Sequence, residues 1–349
     1  MKPEQVVVDW LYGYETPNEI EGVPVAFSTP HNMMRAPRNT EIHNTQINYI
    51  TRSKDFSSIE EINAFLNPIM LNPNNMYKAL DEANLSEEEI DHLAYLEIIN
   101  EAYQSTGERA MRLVLQSLLY SHKPIDAYLW IANHLSKTPE EIFQMLSMAV
   151  ETAELTLDKK KRKSEMGQFW NCHEFRPFMR AKANLADFLY SYNTSQEDIQ
   201  QAIETMETLL EYDLQDHMGI RFLLMGIYSF HEVFDKMDAL YQRFPIDHQN
   251  PLFLYPMAYK QYFTLGPSHE STKSFLSDAI QKNPYVITLV LDNENIPSYE
   301  GSFYHKHSLE EAFYFFNTNY DYFEPDDKML LWLTEAFQTY MKSQQEGFS

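Results

Sequence analysis

The sequence has little glycine and almost no cysteine, with 9 Gly and 1 Cys in 349 residues. So few glycines argue against a turn-dense β fold and against loops that cradle phosphate groups. A single cysteine cannot form a disulfide within the chain, which fits a reducing compartment. No uncharged apolar run reaches the roughly 18 to 20 residues that span a bilayer, and the first apolar stretch is too short for a signal peptide. We therefore expect a cytoplasmic protein without a membrane partner.

Positive charge is also scarce, because 27 Lys and Arg stand against 51 Asp and Glu, a formal net charge of −24. A surface of this sign repels nucleic acid and anionic membranes, so neither is an expected partner. The one basic run, Lys159 to Lys163, can mark a nuclear-import or nucleic-acid patch. We interpret it instead as a solvated helix end, where cations interact favourably with the helix dipole.

What the chain does contain is apolar residues at helical spacing from residue 57 onward, with little strand-like alternation. Ser57 opens the run SSIEEINAFLN with a glutamate three residues later, and Ser86 and Ser308 begin similar runs. Such a pairing is typical of the capping box at a helix N-terminus. Pro68 is expected to stop the first of these helices. The pattern indicates a nearly continuous series of helices.

Residues 1–52 differ from the rest because prolines interrupt them, at Pro3, Pro17, Pro24, Pro30 and Pro37. This spacing leaves no room for an amphipathic helix of useful length. We predict an extended, non-helical arm. It either lies against the body of the protein through apolar residues such as Trp10 and Phe27, or is mobile.

A weak internal repeat follows the arm. Tyr103 near the end of one helix, Gly107 in a turn and Pro124 as terminator indicate a tetratricopeptide-like helical hairpin. The next hairpin has Pro139 at the start of its second helix, where a missing N–H matters little, and ends near Asp158, 34 residues after Pro124. Further pairs end near residues 214, 246 and 284. The fold class we predict is all-α: a tetratricopeptide-like α-α superhelix, a solenoid of about five hairpins.

These patterns divide the chain into five segments: the extended arm, 1–52; N-terminal helical repeats, 53–158; an insertion or junction, 159–175; tetratricopeptide-like repeats, 176–286; and C-terminal capping helices, 287–349. The junction is inferred because the distance from Asp158 to Leu214 is too long for one repeat. The final amphipathic helix is expected to seal the stack, since the last face of a solenoid must be covered.

From Trp170 to about Phe316 the chain resembles a helical-repeat module of uncharacterised bacterial proteins. It is also similar to the tetratricopeptide-like repeat region of the suppression-of-tumorigenicity seven family. The matching residues are Trp170, Glu174, Arg176, Pro177, Phe178, Met179, Arg180, Ala181, Leu185 and Ala186, then Leu209, Leu210, Asp216, and Gly219 to Leu224, and finally Asn283 to Val286, Glu311 and Ala312. Phe175 departs from the module's usual threonine. The resemblance implies an architecture and a binding role, and no activity.

Two histidine-containing stretches are the candidates for chemistry. Cys172 lies next to His173, and a thiolate nucleophile needs a base within reach, but adjacent residues of a helix point about 100° apart. His305 and His307 share one face of an extended segment, as two metal ligands can, yet a real site needs further ligands. A thiol or metal-dependent hydrolase is therefore the alternative, and we expect neither a cofactor nor a metal.

Arg176, Arg180 and Arg221 are the predicted ligand-binding residues. Arg176 and Arg180 lie one turn apart on the first helix of a hairpin, and first helices line the inner surface of such a superhelix. Guanidinium groups there can clamp a carboxylate or phosphate of a peptide. The structural alternative is that they pair with Glu174, Asp187 or Asp216 and join adjacent hairpins.

The leading hypothesis is a non-catalytic helical-repeat scaffold or adaptor that binds a protein or peptide. The aromatic stripe from Phe253 to Phe263 is interpreted mainly as packing between repeats, with an exposed groove for an amphipathic helix as the alternative. A peptide-responsive regulator is a second alternative, but residues 1–52 contain no helix-turn-helix pattern. The sequence leaves the oligomeric state and the identity of the partner open.

Overall fold

The computed structural model describes residues 36–37, 39–192, 195–291, 306–319 and 327–346. Within these ranges the regular elements are helical, and the only extended pairing is an isolated bridge between Gln168 and Asp213. The all-α prediction is therefore confirmed. The α-helices are α1 (Asn39–Thr51), α2 (Ile59–Met70), α3 (Pro73–Glu82), α4 (Glu87–Tyr103), α5 (Gly107–Ser117), α6 (Ile125–His134), α7 (Pro139–Thr156), α8 (Lys159–Ser164), α9 (Arg176–Ser191), α10 (Gln196–Tyr212), α11 (Ile220–Phe230), α12 (Phe234–Arg243), α13 (Pro251–Leu265), α14 (Glu270–Lys282), α15 (Tyr285–Leu291), α16 (Leu309–Asn319) and α17 (Asp327–Glu346).

Local capping explains where several helices begin. Ser86 and Glu89 form the expected reciprocal capping box before α4, because the hydroxyl and the carboxylate satisfy N–H groups that have no partner in the first turn. Pro139 begins α7, as predicted. At α2 the capping residue is Ser58 instead of Ser57, and Pro68 lies within the helix, which continues to Met70. The expected stop at Pro68 is therefore two residues early.

Helices pack as consecutive pairs. Extensive contacts join α4 to α5, α6 to α7, α9 to α10, α11 to α12 and α13 to α14. Between pairs, α9 packs against α6 and α7, and α13 packs against α11. One buried apolar cluster runs through α4 to α17 and includes Phe169, Trp170 and Phe175 of the predicted junction. Residues 169–175 thus form two short 3₁₀ turns before α9 and place three aromatic rings in the core.

The N-terminal arm was predicted to be non-helical, and for residues 39–51 this is wrong, because they form α1. Pro37 is the last proline before Pro68, so thirteen residues without proline or glycine remain free to form a helix. The buried residues of α1 are Glu41, Thr45, Gln46 and Ile50, and three of these four are polar. No apolar stripe announces such a helix. The rest of the predicted arm, residues 1–35 and Arg38, lies outside the described residues.

The C-terminal helices pack back onto the preceding pairs. α16 contacts α11, α13 and α15, while α17 contacts α14 and α15. Met329 and Leu333 of α17 are buried against the core. Among the described residues, none of these helices combines the length and apolar character that crossing a membrane requires.

Candidate functional site

Arg180 lies at the centre of a buried ion cluster formed by α1, α6 and α9. Its Nη1 and Nη2 atoms donate to Oε1 and Oε2 of Glu41 at 2.7 and 2.8 Å, and its Nε and Nη2 atoms donate to Oδ1 and Oδ2 of Asp126 at 2.7 and 2.8 Å. The Arg180 side chain is 0% exposed. Burial disfavours its charge, but the carboxylates of Asp126 and Glu41 outweigh that effect and raise the pKa of Arg180 well above its usual value.

Asp126 is itself held in place by α4. Its backbone N–H donates to the Tyr95 hydroxyl at 3.1 Å, and its carbonyl oxygen accepts from the Tyr103 hydroxyl at 3.0 Å. Tyr103 is the aromatic residue that the sequence places near a helix end. Its hydroxyl therefore connects the first hairpin to the ion cluster of the next.

Arg176, like Arg180, contacts helix α1. Its Nε donates to the Trp170 carbonyl oxygen at 2.8 Å, its Nη1 donates to Oγ1 of Thr40 at 3.3 Å, and Nη1 is 3.8 Å from Oε1 of Glu41. The guanidinium also lies over the Trp170 ring, 5.2 Å from its centroid. Both arginines of α9 therefore contact α1, a helix that the sequence did not predict.

Arg221 belongs to a different cluster, at the start of α11. Its Nη1 donates to Oδ2 of Asp216 at 3.0 Å and its Nε donates to Oδ2 of Asp247 at 2.7 Å. Asp216 also accepts from the backbone N–H groups of Ile220 and Arg221, both at 2.8 Å, and so caps α11. Burial raises the pKa of Asp216 to about 6, with Arg221 opposing the shift. The pairing with Asp216 is the structural alternative that the sequence offered for this arginine.

The three predicted ligand-binding residues therefore do not line one open surface. Arg180 has no exposed area, and Arg221 keeps only 16% of its side chain exposed. A ligand cannot reach Arg180 while α1 is in place. The carboxylate that Arg176 and Arg180 contact together is Glu41 of the same chain, and the clamp on a bound peptide stays a prediction.

The geometry around Cys172 does not favour an activated thiol. Burial raises the pKa of the Cys172 thiol and the nearby Glu165 carboxylate raises it further, whereas a reactive cysteine needs a depressed pKa. His173 points towards α1, with its Nε2 atom 3.5 Å from Nδ2 of Asn48. Burial lowers the pKa of His173. The segment that contains Cys172 and His173 therefore serves as a structural connection to the start of α9.

His307 is engaged within the chain, and His305 lies outside the described residues. The His307 backbone N–H donates to Oε2 of Glu311 at 2.7 Å, and its Nδ1 atom contacts the Lys282 carbonyl oxygen. Among the described residues, no three His, Cys, Asp or Glu side chains gather in a group that could hold a metal ion. The proposed chelation by His305 and His307 stays a hypothesis.

The basic run Lys159 to Lys163 forms most of α8 and does more than face solvent. The guanidinium of Arg162 lies over the rings of Phe178 and Tyr212, at 5.5 and 5.3 Å from their centroids. Asp158 caps α8, since its carboxylate accepts the backbone N–H groups of Lys160 and Lys161 at 2.8 and 2.7 Å. The run therefore extends from the start of this short helix into its last turn, which contains Lys161, Arg162 and Lys163.

An elongated groove lies between α14 and α17, with a volume of about 800 Å³. Apolar and aromatic residues line it, together with the charged residues Lys273, Lys328 and Glu335. The Tyr262 and Trp332 rings pack 4.8 Å apart at its side. The lining residues are Tyr262, Pro267, Ser268, Lys273, Leu276, Ser277, Ile280, Gln281, Lys328, Leu331, Trp332, Glu335, Ala336, Thr339, Tyr340 and Ser343.

Sequence reasoning missed this groove because it treated α17 as a cap. The missed signal is the run of apolar residues from Leu330 to Leu333. Successive residues of a helix are about 100° apart, so four in a row cannot all face one core. Leu333 is buried, whereas Leu331 is 60% exposed. Tyr262, from the aromatic stripe, lies at this groove, while Phe253 and Tyr255 of the same stripe are buried.

Comparison of the chain with protein-family models, with curated proteins and with solved structures gives no match. The likeness to the tetratricopeptide-like module therefore stays a prediction.

Proposed function

We propose that this chain is a non-catalytic scaffold or adaptor that binds a helical segment of a partner protein in the groove between α14 and α17. The proposal also includes the arrangement of the helices, which we take to be a tetratricopeptide-like superhelix. The support for it is that consecutive helix pairs pack on one another and share one apolar core from α4 to α17. A cytoplasmic location completes the proposal, supported by the single cysteine.

The shape of the groove is the observation that carries the proposal. Residues from Lys328 to Ser343 of α17 line it, and a rise of about 1.5 Å per residue gives it a length of about 22 Å. That length matches some four turns of a peptide helix and exceeds what a compact small molecule needs. An amphipathic helix placed between two others is a common mode of peptide recognition.

The chemistry of the lining defines the occupant further. Leu331, Trp332 and Tyr340 belong to the α17 residues that line the groove, and these residues recur at steps of three and four, as one face of a helix does. Two lysines and one glutamate stand among the lining residues, an excess of positive charge in a chain with a net charge of −24. We therefore expect an amphipathic helix whose polar side carries Asp or Glu.

The settings of Cys172 and His307, two of the side chains considered for catalysis, also favour a binding role. Cys172 is a thiol whose pKa is raised by burial, and the His307 imidazole contacts a backbone carbonyl. Arg180 and Arg221 hold helices together. The groove between α14 and α17 is therefore the best-supported place for a ligand in the described part of the chain.

The test is a selection of phage-displayed random peptides of about 16 residues, long enough to span the groove as a helix. The full chain is the bait, and the affinity of the selected peptides is measured by fluorescence anisotropy. Leu331→Asp should weaken binding at least about tenfold, because it places a charge where the apolar face of the peptide packs. Lys328→Glu should weaken acidic peptides in particular.

Leu155→Asp is the matched control, since Leu155 is an 87% exposed leucine on α7, outside the lining residues. It should leave the affinity unchanged. Selected peptides that bind Leu331→Asp as tightly as the unaltered chain would contradict the proposal. So would a selection that enriches no amphipathic sequence.

A further inference from the structure

Helix α1 is held on the rest of the protein mainly by polar contacts. Its buried residues include Glu41, Thr45 and Gln46, and its Ile42 is only partly buried against the main core. At one end the Asn100 side-chain amide donates to Oδ1 of Asn39 at 2.6 Å. At the other end Arg52 forms an ion pair with Glu89. These polar contacts fix the position of α1 but bury little apolar surface against the main core, and apolar burial is the main favourable term in holding a helix in place.

The first three helices also form a unit of their own. Ile50, Ile69 and Met76 make a small apolar cluster, separate from the main core, with Phe65 and other residues packed against it. The unit contacts the remaining structure mainly through α1, which packs on α4 and on the 3₁₀ turn 173–175. Its connection to α4 contains Asn84 with φ +50°, a left-handed conformation at a non-glycine residue.

Two edges of the Arg180 guanidinium bind carboxylates that come from different parts of the chain. Asp126, which comes from α6 and is anchored by two tyrosines, holds the Nε and Nη2 side. Glu41, which comes from the separate N-terminal unit, takes the Nη1 and Nη2 end. A guanidinium fixed on one side presents a rigid fork that matches a second carboxylate in a bidentate way. This is how a preorganised carboxylate-binding site is built.

From this arrangement we propose that Arg176 and Arg180 of α9, with Asp126 as the positioning residue, form a binding site for a helix that carries a glutamate. α1 is the occupant within the chain, and it is a displaceable intramolecular ligand. The feature of α1 that the site recognises is the Glu41 carboxylate, which contacts both arginines. This proposal is independent of the groove between α14 and α17.

The test uses the full chain with Glu41→Lys, which places an ammonium group against Arg180 and should release α1. Hydrogen exchange is expected to show α1 amides exchanging at least about tenfold faster while α9 amides stay protected. A labelled peptide of residues 37–52 should then bind the variant at least about tenfold more tightly than it binds the unaltered chain. In the unaltered chain the tethered α1 competes at a high effective concentration.

Three controls make the result specific. The same peptide with Gln in place of Glu41 should lose most of the binding. Glu97→Lys makes the same charge change at an exposed position of α4 and should neither release α1 nor admit the peptide. Leu331→Asp, added to Glu41→Lys, should leave peptide binding unchanged, which separates this site from the proposed groove.

A second variant, Asn39→Ala with Arg52→Ala, weakens both ends of α1 and keeps Glu41, Arg180 and Asp126. If circular dichroism shows that Glu41→Lys unfolds the chain, the hydrogen-exchange and peptide-binding measurements are made on this second variant instead. The proposal is overturned if α1 stays fully protected in the folded variants, or if a released α1 leaves a site that the peptide does not enter. It is also overturned if both variants unfold the whole chain, because α1 is then an integral part of the fold.

Discussion

Buried charges in this protein occur in sets whose members complete one another's hydrogen bonds. Arg180 uses three donor atoms on two carboxylates, and Asp216 accepts from two backbone N–H groups and from Arg221. Taking such groups out of water is unfavourable, and only good geometry compensates for it. Removal of one member of such a set should therefore lower the stability strongly, because it leaves the other charges buried without a partner.

Arg180→Ala should lower the free energy of unfolding by about 3 to 5 kcal/mol, because it leaves the Glu41 and Asp126 carboxylates buried without their common donor. Urea unfolding followed by circular dichroism measures the change. Arg112→Ala is the comparison, since Arg112 pairs with Glu108 one turn away on the exposed side of α5, and exposed pairs contribute little. Equal effects of the two substitutions would show that the Arg180 cluster does not stabilise the fold.

The residue types at the arginine site could be read from the sequence, but their partners could not. Arg176, Arg180 and Arg221 stand out as cations in an acidic chain, and the pairing of Arg221 with Asp216 is local. Glu41 and Asp126 lie 139 and 54 positions from Arg180. Only the packing of three helices brings them together, and no periodicity in the sequence encodes that packing.

At the scale of the helix, prediction succeeded where an apolar stripe and a turn residue agree. Tyr103 does end α4, Gly107 does begin α5 and Pro139 does begin α7. It failed for α1, whose buried face is polar, and for the outward side of α17, whose apolar residues exceed one face. Amphipathicity detects helices that bury an apolar stripe. It does not detect a helix docked by charges or a second apolar face.

Gly107→Ala isolates the contribution of one turn between paired helices. Gly107 has φ +58°, and an added Cβ atom would meet nothing within 4 Å, so backbone strain is the only expected effect. A left-handed conformation is unfavourable by about 1 to 2 kcal/mol for a residue with a Cβ atom, and thermal unfolding should show a loss of that size. Gly107→Asn should lose less, because asparagine tolerates this conformation. If alanine and asparagine behave alike and match glycine, the left-handed turn is absent in solution.

At the scale of the whole molecule, the described residues divide into two apolar clusters of very different size. The main cluster extends from α4 to α17, whereas Ile50, Ile69 and Met76 form the small cluster of α1 to α3. The sequence predicted helices on both sides of residue 83 but gave no sign that their cores are separate. That separation follows from α1, which lies between the two clusters and buries mostly polar side chains.

Two core substitutions test whether the clusters unfold independently. Phe178→Ala removes a fully buried ring from the main core and should lower the free energy of unfolding by about 3 to 5 kcal/mol. It should therefore reduce the hydrogen-exchange protection of helices throughout α4 to α14.

Met76→Ala removes a buried side chain from the small cluster. If α1 to α3 open as a local unit, faster exchange should be confined to these three helices, because local opening has its own, lower free energy. The protection of α9 and α13 should then match that of the unaltered chain. Faster exchange of α9 in Met76→Ala would mean that both clusters belong to one cooperative unit, and the N-terminal helices would then be part of the main fold.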